Sequence, residues 1–301
     1  MIFKMKNYAV PDFLFPQEIK PGLFLIGNYF FNLFLIKGKQ WTVLFETGVS
    51  AVVDDVIHQI DGLGLEPDYL IPAHPHSDHI TGLPGLREHF PQAAVLITKE
   101  AQAFIEHPKA GSAMLFEDRF LYDSLPDHGV TPGRPPLESV PDLKGCRQIH
   151  GDHDLDLGGL TLCLKSVRGH APGSYIAWIP ERKTILTSDS LGFHFPGRGF
   201  FPLFFTGMNA YLDTLDTIEG MDADLLCPAH QMPIESKDIP ETFRQIRKTI
   251  NDLIVRVKTV PAENLVKDLF DRTYRDEFSL YSPDNIENCI RLLIRRIKDA
   301  I

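Results

Sequence analysis

The stretch IPAHPHSDHI (residues 71–80) places three histidines and an aspartate within six positions, in a chain with only 12 histidines among 301 residues. His74 and His76 alternate on an extended backbone, so both rings project to one side. Asp78 and His79 follow where the chain turns into a helix and can face the same place. A hydrophilic turn with Asp78 as a helix cap would explain any one of these residues, but not their spacing. Neutral imidazole is a common zinc ligand, and carboxylate oxygen complements it. One such ion takes about four ligands, so partners are needed downstream. VRGHAPGS offers His170, ILTSDSLG offers Asp189 and LLCPAHQ offers His230. Each follows a strand-like run, where α/β folds gather functional side chains.

In this order, HxHxDH, Gly-His, Asp and Pro-x-His resemble the metallo-β-lactamase superfamily over residues 20–235. The resemblance implies a four-layer αββα sandwich with a dinuclear metal site in the cleft between two sheets. Carried over by position, His74, His76 and His170 would hold the first ion. Asp78, His79 and His230 would hold the second, with Asp189 bridging both. Two divalent ions are implied, zinc being the expected metal and iron or manganese the alternatives for such donors. The implied chemistry is hydrolysis by water activated at the metals, with Asp78 also orienting that water. One position departs from the family. Where many members have Asp in a DTG-like turn, this chain has Glu46 in LFETG. That carboxylate is expected to orient a ligand, not to hold metal.

The elements that must position these residues are legible in outline. GLFLIG, FFNLFLIKG and WTVLFETG are β-branched or aromatic runs cut by turn residues, and read as strands. VSAVVDDVIHQIDGLG has apolar residues at helical spacing and a glycine stop. DYLIPAH and AAVLIT then read as strands, with TGLPGLREHF and KEAQAFIEH as helices behind them, a layered α/β order. SAMLFEDRFLYDSL predicts a helix, and the Pro/Gly-rich SLPDHGVTPGRPPLESVPD a loop. Strands resume at CRQIHGD, LTLCLKSV, SYIAWIP and KTILTSDS, which points to two related halves. After residue 236 the apolar residues recur every three or four positions, predicting helices over 238–258, 261–270 and 284–301. That tail carries 13 Lys+Arg against 11 Asp+Glu, net +2, leaving −12 on residues 1–235. The expected division is a hydrolase body over 1–235 and a helical cap over 236–301.

Composition narrows the partners. A formal net charge of −10 with no basic run argues against nucleic acid, whose backbone requires a concentrated basic surface. No uncharged apolar run reaches about 18 residues, so no membrane span is expected. The N-terminal MIFKMKNYAVPDFLFPQEIKPG lacks the marks of a signal peptide, and the four cysteines form no CxxC. A cytoplasmic protein with reduced thiols, acting on a small molecule, is the expectation. Whether the tail caps the cleft or joins two copies into a homodimer stays open.

The choice of substrate leans on one segment. Residues 190–221 carry Phe193, Phe195, Phe200, Phe201, Phe204 and Phe205 around a Gly/Pro-broken loop, with His194 among them. The bland account is packing beneath the tail. Six aromatics so soon after Asp189 also suggest an apolar substrate wall, with His194 touching substrate at the mouth. With its helical C-terminus, this stretch resembles the alkylquinolone-pathway response proteins of pseudomonads, a thioesterase-like subgroup with a helical cap. The resemblance makes an apolar acyl or aryl thioester the leading substrate. A phosphodiesterase or lactonase on the same site, or a metal-bearing sensor with little turnover, are the alternatives.

Overall fold

Strands that are apolar at nearly every position must be covered on both faces, and this chain has several. In the computed structural model, which describes residues 14–195 and 199–301, Phe31–Lys37 is buried at all but its last residue. Its residues alternate between two apolar layers. Phe34 and Ile36 face one layer, while Leu33 and Leu35 face the other. The strand Thr42–Phe45 divides likewise, with Val43 and Phe45 against Leu44. The first layer also holds Leu164, Ala177 and Leu186 of the second sheet, so it lies between the sheets. The other layer holds helix residues such as Val56 and Leu121. Period-two alternation thus builds helix, sheet, sheet, helix, the expected four-layer αββα sandwich.

The first sheet runs in sequence order: β1 (Gln17–Lys20), β2 (Leu23–Asn28), β3 (Phe31–Lys37), β4 (Thr42–Phe45), β5 (Tyr69–Ile71), β6 (Ala94–Thr98) and β7 (Arg147–Ile149). It is antiparallel through β4 and parallel from β4 to β7. The parallel crossovers carry α1 (Val53–Gly62), α2 (Ser77–Ile80), α3 (Leu83–His89), α4 (Lys99–Glu106) and α5 (Pro108–Ser124). The second sheet uses β8 (His153–Asp156), β9 (Thr161–Val167), β10 (Ser174–Ile179), β11 (Thr184–Ser188), β14 (Leu225–Pro228) and β15 (Ile234–Glu235), in the order β15-β14-β11-β10-β9-β8. A hairpin, β12 (Phe193–Phe195) and β13 (Gly199–Phe201), stands apart from both, and α6 (Met208–Glu219) follows it.

Three helices close the chain: α7 (Ile239–Thr259), α8 (Ala262–Thr273) and α9 (Pro283–Lys298). α8 runs three residues past its expected end, and α9 starts on a serine cap, Ser282, whose Oγ accepts from Asn285 N at 3.2 Å. Phe243, Ile250, Leu265, Ile290 and Leu293 of these helices belong to the same apolar layer as the body's helices. Among the described residues no helix is long and apolar enough to cross a membrane, and the four cysteines are free. Residues 1–13, which include most of the N-terminal stretch, lie outside the described residues.

Candidate metal centre

Each candidate ligand sits just past the carboxyl end of a strand. β4 leads to Glu46 and β5 to His74 and His76, and Asp78 and His79 lie in the short helix α2. β9 leads to His170, β11 to Asp189 and β14 to His230. β4 with β5, and β11 with β14, are parallel pairs, and crevices at such carboxyl ends are where α/β sheets bind ligands. The backbone here is unusual. Glu46 (φ 72°), Ser188 (φ 47°) and Gln231 (φ 66°) are non-glycine residues in the left-handed region, all adjacent to candidate ligands. Such conformations cost about 1–3 kcal/mol each and cluster at functional sites. Gly169 (φ 105°) lets His170 approach, because a Cβ there would come within 2.4 Å of Tyr211 Cα.

The structure brings all seven residues together. His74 Nε2, His76 Nδ1 and His170 Nε2 are 3.1 Å from one another. Asp189 Oδ2 lies 3.7 Å from His74 Nε2 and 3.4 Å from His170 Nε2. On its other side Asp189 Oδ2 is 3.5 Å from His79 Nε2, and Oδ1 is 3.2 Å from His230 Nε2. Asp78 Oδ2 completes this second group, 3.6 Å from His79 Nε2 and 3.5 Å from His230 Nε2. Donors about 2.0–2.2 Å from one tetrahedral ion stand about 3.3–3.6 Å apart. The separations in both groups, from 3.1 to 3.7 Å, lie close to that spacing.

Hydrogen bonds behind the rings decide which nitrogens face inward. His170 Nδ1 donates to Leu203 O at 2.7 Å and His230 Nδ1 to Phe30 O at 2.5 Å. His79 Nδ1 donates to Glu46 Oε2 at 3.0 Å. Ser188 Oγ donates to Glu46 Oε1 at 2.6 Å, which leaves it to accept from His74 Nδ1 at 3.2 Å. Glu46 therefore orients His79 directly and His74 through Ser188, and its longer side chain spans that reach. With the Nδ1 atoms of His74, His79, His170 and His230 committed, their four Nε2 atoms and His76 Nδ1 converge on two carboxylates. His79 Nε2 and His230 Nε2 are buried without a hydrogen-bond partner. Ring nitrogens and carboxylate oxygens aimed at one point are the donor set of a bound cation.

The charges divide in the same way. Burial, then the neighbouring imidazoles, hold His74 well below its usual range, and burial with His170 holds His76 at about 3. Burial also lowers His170. These three are neutral, as ligands must be. For His79 burial acts against the charge, but Glu46, Asp78 and Asp189 outweigh it and hold the ring well above its usual range. His230 is raised by Asp189 despite burial. Burial resists ionisation of Asp189, yet His79 and His230 hold it well below the carboxylate range. In the second group the carboxylates favour positive charge, supplied by a proton on the rings or by a metal ion in its place.

Above these residues opens a cavity of about 790 Å³. Phe104, Met114, Phe193, Phe201, Phe205 and Leu292 supply apolar wall, and His76, Asp78, His170 and Asp189 lie at its floor. The expected aromatic wall is corrected in part. Phe195, Phe200, Phe204 and His194 are not among the lining residues. Phe193 and Phe195 share one face of β12, but Phe195 packs on Phe278, 4.8 Å between centroids. His194 points the opposite way and stacks on Phe200 at 4.5 Å. Phe204 is fully buried against Tyr211.

Sequence reasoning missed what the tail adds. Phe278 wedges edge-on against Phe193, Phe195 and Phe201. Tyr281 OH donates to Asp78 Oδ2 at 2.8 Å. Glu117 of α5 accepts from Ser282 N at 2.8 Å and Ser282 Oγ at 2.6 Å. His128, within the stretch read as a loop, is buried, with Nε2 3.1 Å from Ser279 Oγ. No local motif marks these residues, since each acts across a contact distant in sequence.

The family model of the metallo-beta-lactamase superfamily matches residues 28–230, and the chain belongs to that superfamily. Solved structures agree on the fold. A beta-lactamase domain protein from Burkholderia ambifaria is similar with a TM-score of 0.68 at 19% identity, covering 97% of this chain and 92% of that one. An archaeal superfamily protein from Sulfolobus tokodaii gives 0.58 at 19% identity over 90% and 93%. A stereoselective inverting sec-alkylsulfatase from a Pseudomonas species gives 0.64 at 15% identity, covering 93% of this chain and 49% of that one. No curated protein matches the sequence.

Proposed function

We propose that this chain is a dinuclear-metal hydrolase that cleaves an apolar acyl or aryl thioester. The observation that carries the reading is the convergence of inward ring nitrogens and two carboxylates at the floor of a largely apolar cavity. His74, His76, His170 and Asp189 would hold one ion, and Asp78, His79 and His230 the other, with Asp189 shared. Bound divalent ions supply Lewis acidity and lower the pKa of water to about 7, providing a nucleophile at neutral pH. Zinc suits these donors, with iron and manganese as alternatives.

The chain's own residues supply orientation and selection. Glu46 and Ser188 fix the rings, and Asp78 sits at the floor within reach of a reacting water. Phe193, Phe201 and Phe205 bind the acyl or aryl group and exclude bulk water. A thiolate leaves readily, so little acid assistance is required from the protein. Lining charge also disfavours anionic esters. Beyond the residues that would hold the ions, Glu117 and Asp284 face a single cation, Arg296, among the described lining residues. Arg296 is already engaged by Phe205 O and Asp299. This supports a neutral scissile group over a phosphodiester, and the helical tail keeps the thioesterase-like subgroup as part of the reading.

A panel of aryl and medium-chain thioesters, lactones, phosphodiesters and alkyl sulfates tests this choice. The expected result is the highest kcat/KM on a thioester. Turnover confined to phosphodiesters or sulfates would overturn the thioester assignment, and a lactone preference would move the reading to the same site's other neutral substrate.

A further inference from the structure

Asp78 and Tyr281 are 203 residues apart in sequence, yet the tyrosine hydroxyl donates to Asp78 Oδ2 at 2.8 Å. That same oxygen faces His79 Nε2 and His230 Nε2 at 3.6 and 3.5 Å. Two torsions of the Asp78 side chain must be fixed for it to do so, and rotamer wells alone leave alternatives. The phenol removes them.

Tyr281 is itself held on both sides. Before it, Phe278 is wedged among three phenylalanines of the β12–β13 hairpin, and Leu280 O accepts from Ser124 Oγ at 2.6 Å. After it, Ser282 makes two hydrogen bonds to buried Glu117 while capping α9. Tyr281 is 7% exposed and lines the cavity beside Asp78. Such bracketing by body residues exceeds what a simple cover over the cleft requires.

We propose that Tyr281 is a positioning residue that fixes the Asp78 carboxylate toward His79 and His230, so that the C-terminal tail completes the second half of the metal centre. The proposal rests on the dinuclear reading given above. Partners that orient a metal ligand typically alter affinity 10–100-fold. Because the bond is to Asp78, the effect falls on the group formed by Asp78, His79 and His230.

The test is zinc titration of the full-length chain, stripped of metal, against a chromophoric chelator. Wild type is expected to take two ions. Tyr281→Phe keeps the ring and its packing, and is expected to keep one site unchanged while weakening the other about 10–100-fold, with native circular dichroism. Asp78→Asn should weaken the same site, and adding Tyr281→Phe to it should cause little further loss, because the two act as one unit. A Tyr281→Phe isotherm identical to wild type would overturn the positioning role, as would a full additional loss in the Asp78→Asn background. A wild-type chain that takes up no zinc would instead overturn the dinuclear reading beneath it, so the two failures are told apart by the wild-type curve alone.

Discussion

Asp189→Ala is expected to lower the metal content from two ions per chain to one or fewer and to reduce hydrolysis at least about a thousandfold. That factor corresponds to about 4 kcal/mol of lost transition-state stabilisation at 1.4 kcal/mol per decade. The size of the effect follows from position. Asp189 Oδ2 faces His74, His170 and His79, and Oδ1 faces His230, so no other side chain here touches both groups so evenly. Its removal leaves each group short of a donor and takes away negative charge that offsets two cations. The core does not depend on it, since Leu186 and Cys227 of the flanking strands pack in the inter-sheet layer. Far-UV circular dichroism should therefore stay native. Two retained metals with a full rate would refute the bridging assignment.

The second large effect concerns chain length. At fixed thiol, kcat/KM is expected to rise from acetyl to aryl and medium-chain thioesters, and Phe201→Ala or Phe205→Ala should flatten that rise. Covering about 60 Å² of apolar surface is worth about 1.5 kcal/mol, close to a tenfold change per ring. Acetyl thioesters should be little affected, because they do not reach the wall. Phe195→Ala is the informative contrast. It packs behind Phe193 against Phe278, so it should cost stability while leaving the chain-length preference in place. A flat series in wild type would remove the main reason for choosing an apolar thioester.

The candidate ligands were legible because each is a local event: a polar residue of ligating type directly after a strand, in an order that few chains share. The sandwich was legible for a similar reason, since β2, β3 and β4 are apolar at nearly every position and demand cover on both faces. The tail's helices could be read from their apolar spacing, but not where they land. Tyr281 reaches Asp78, and Ser282 reaches Glu117, through contacts that no window along the chain contains. The phenylalanine segment failed differently. Its composition announced an apolar wall, but the register of a three-residue strand decides which rings face the cavity. Phe193 faces it, His194 faces away, and Phe195 is taken up by Phe278 from the tail. Glu46 was read as an orienting carboxylate, and its two acceptor contacts to His79 and Ser188 give that role a geometry.

The most direct test of the dinuclear reading is elemental analysis of the purified full-length chain, repeated after chelation and after zinc is restored. The dinuclear reading predicts two divalent ions per chain, hydrolysis that disappears as they are removed, and recovery of both when zinc returns. A chain that binds no divalent ion at saturating zinc, or one that hydrolyses its substrate equally well when stripped, would contradict it.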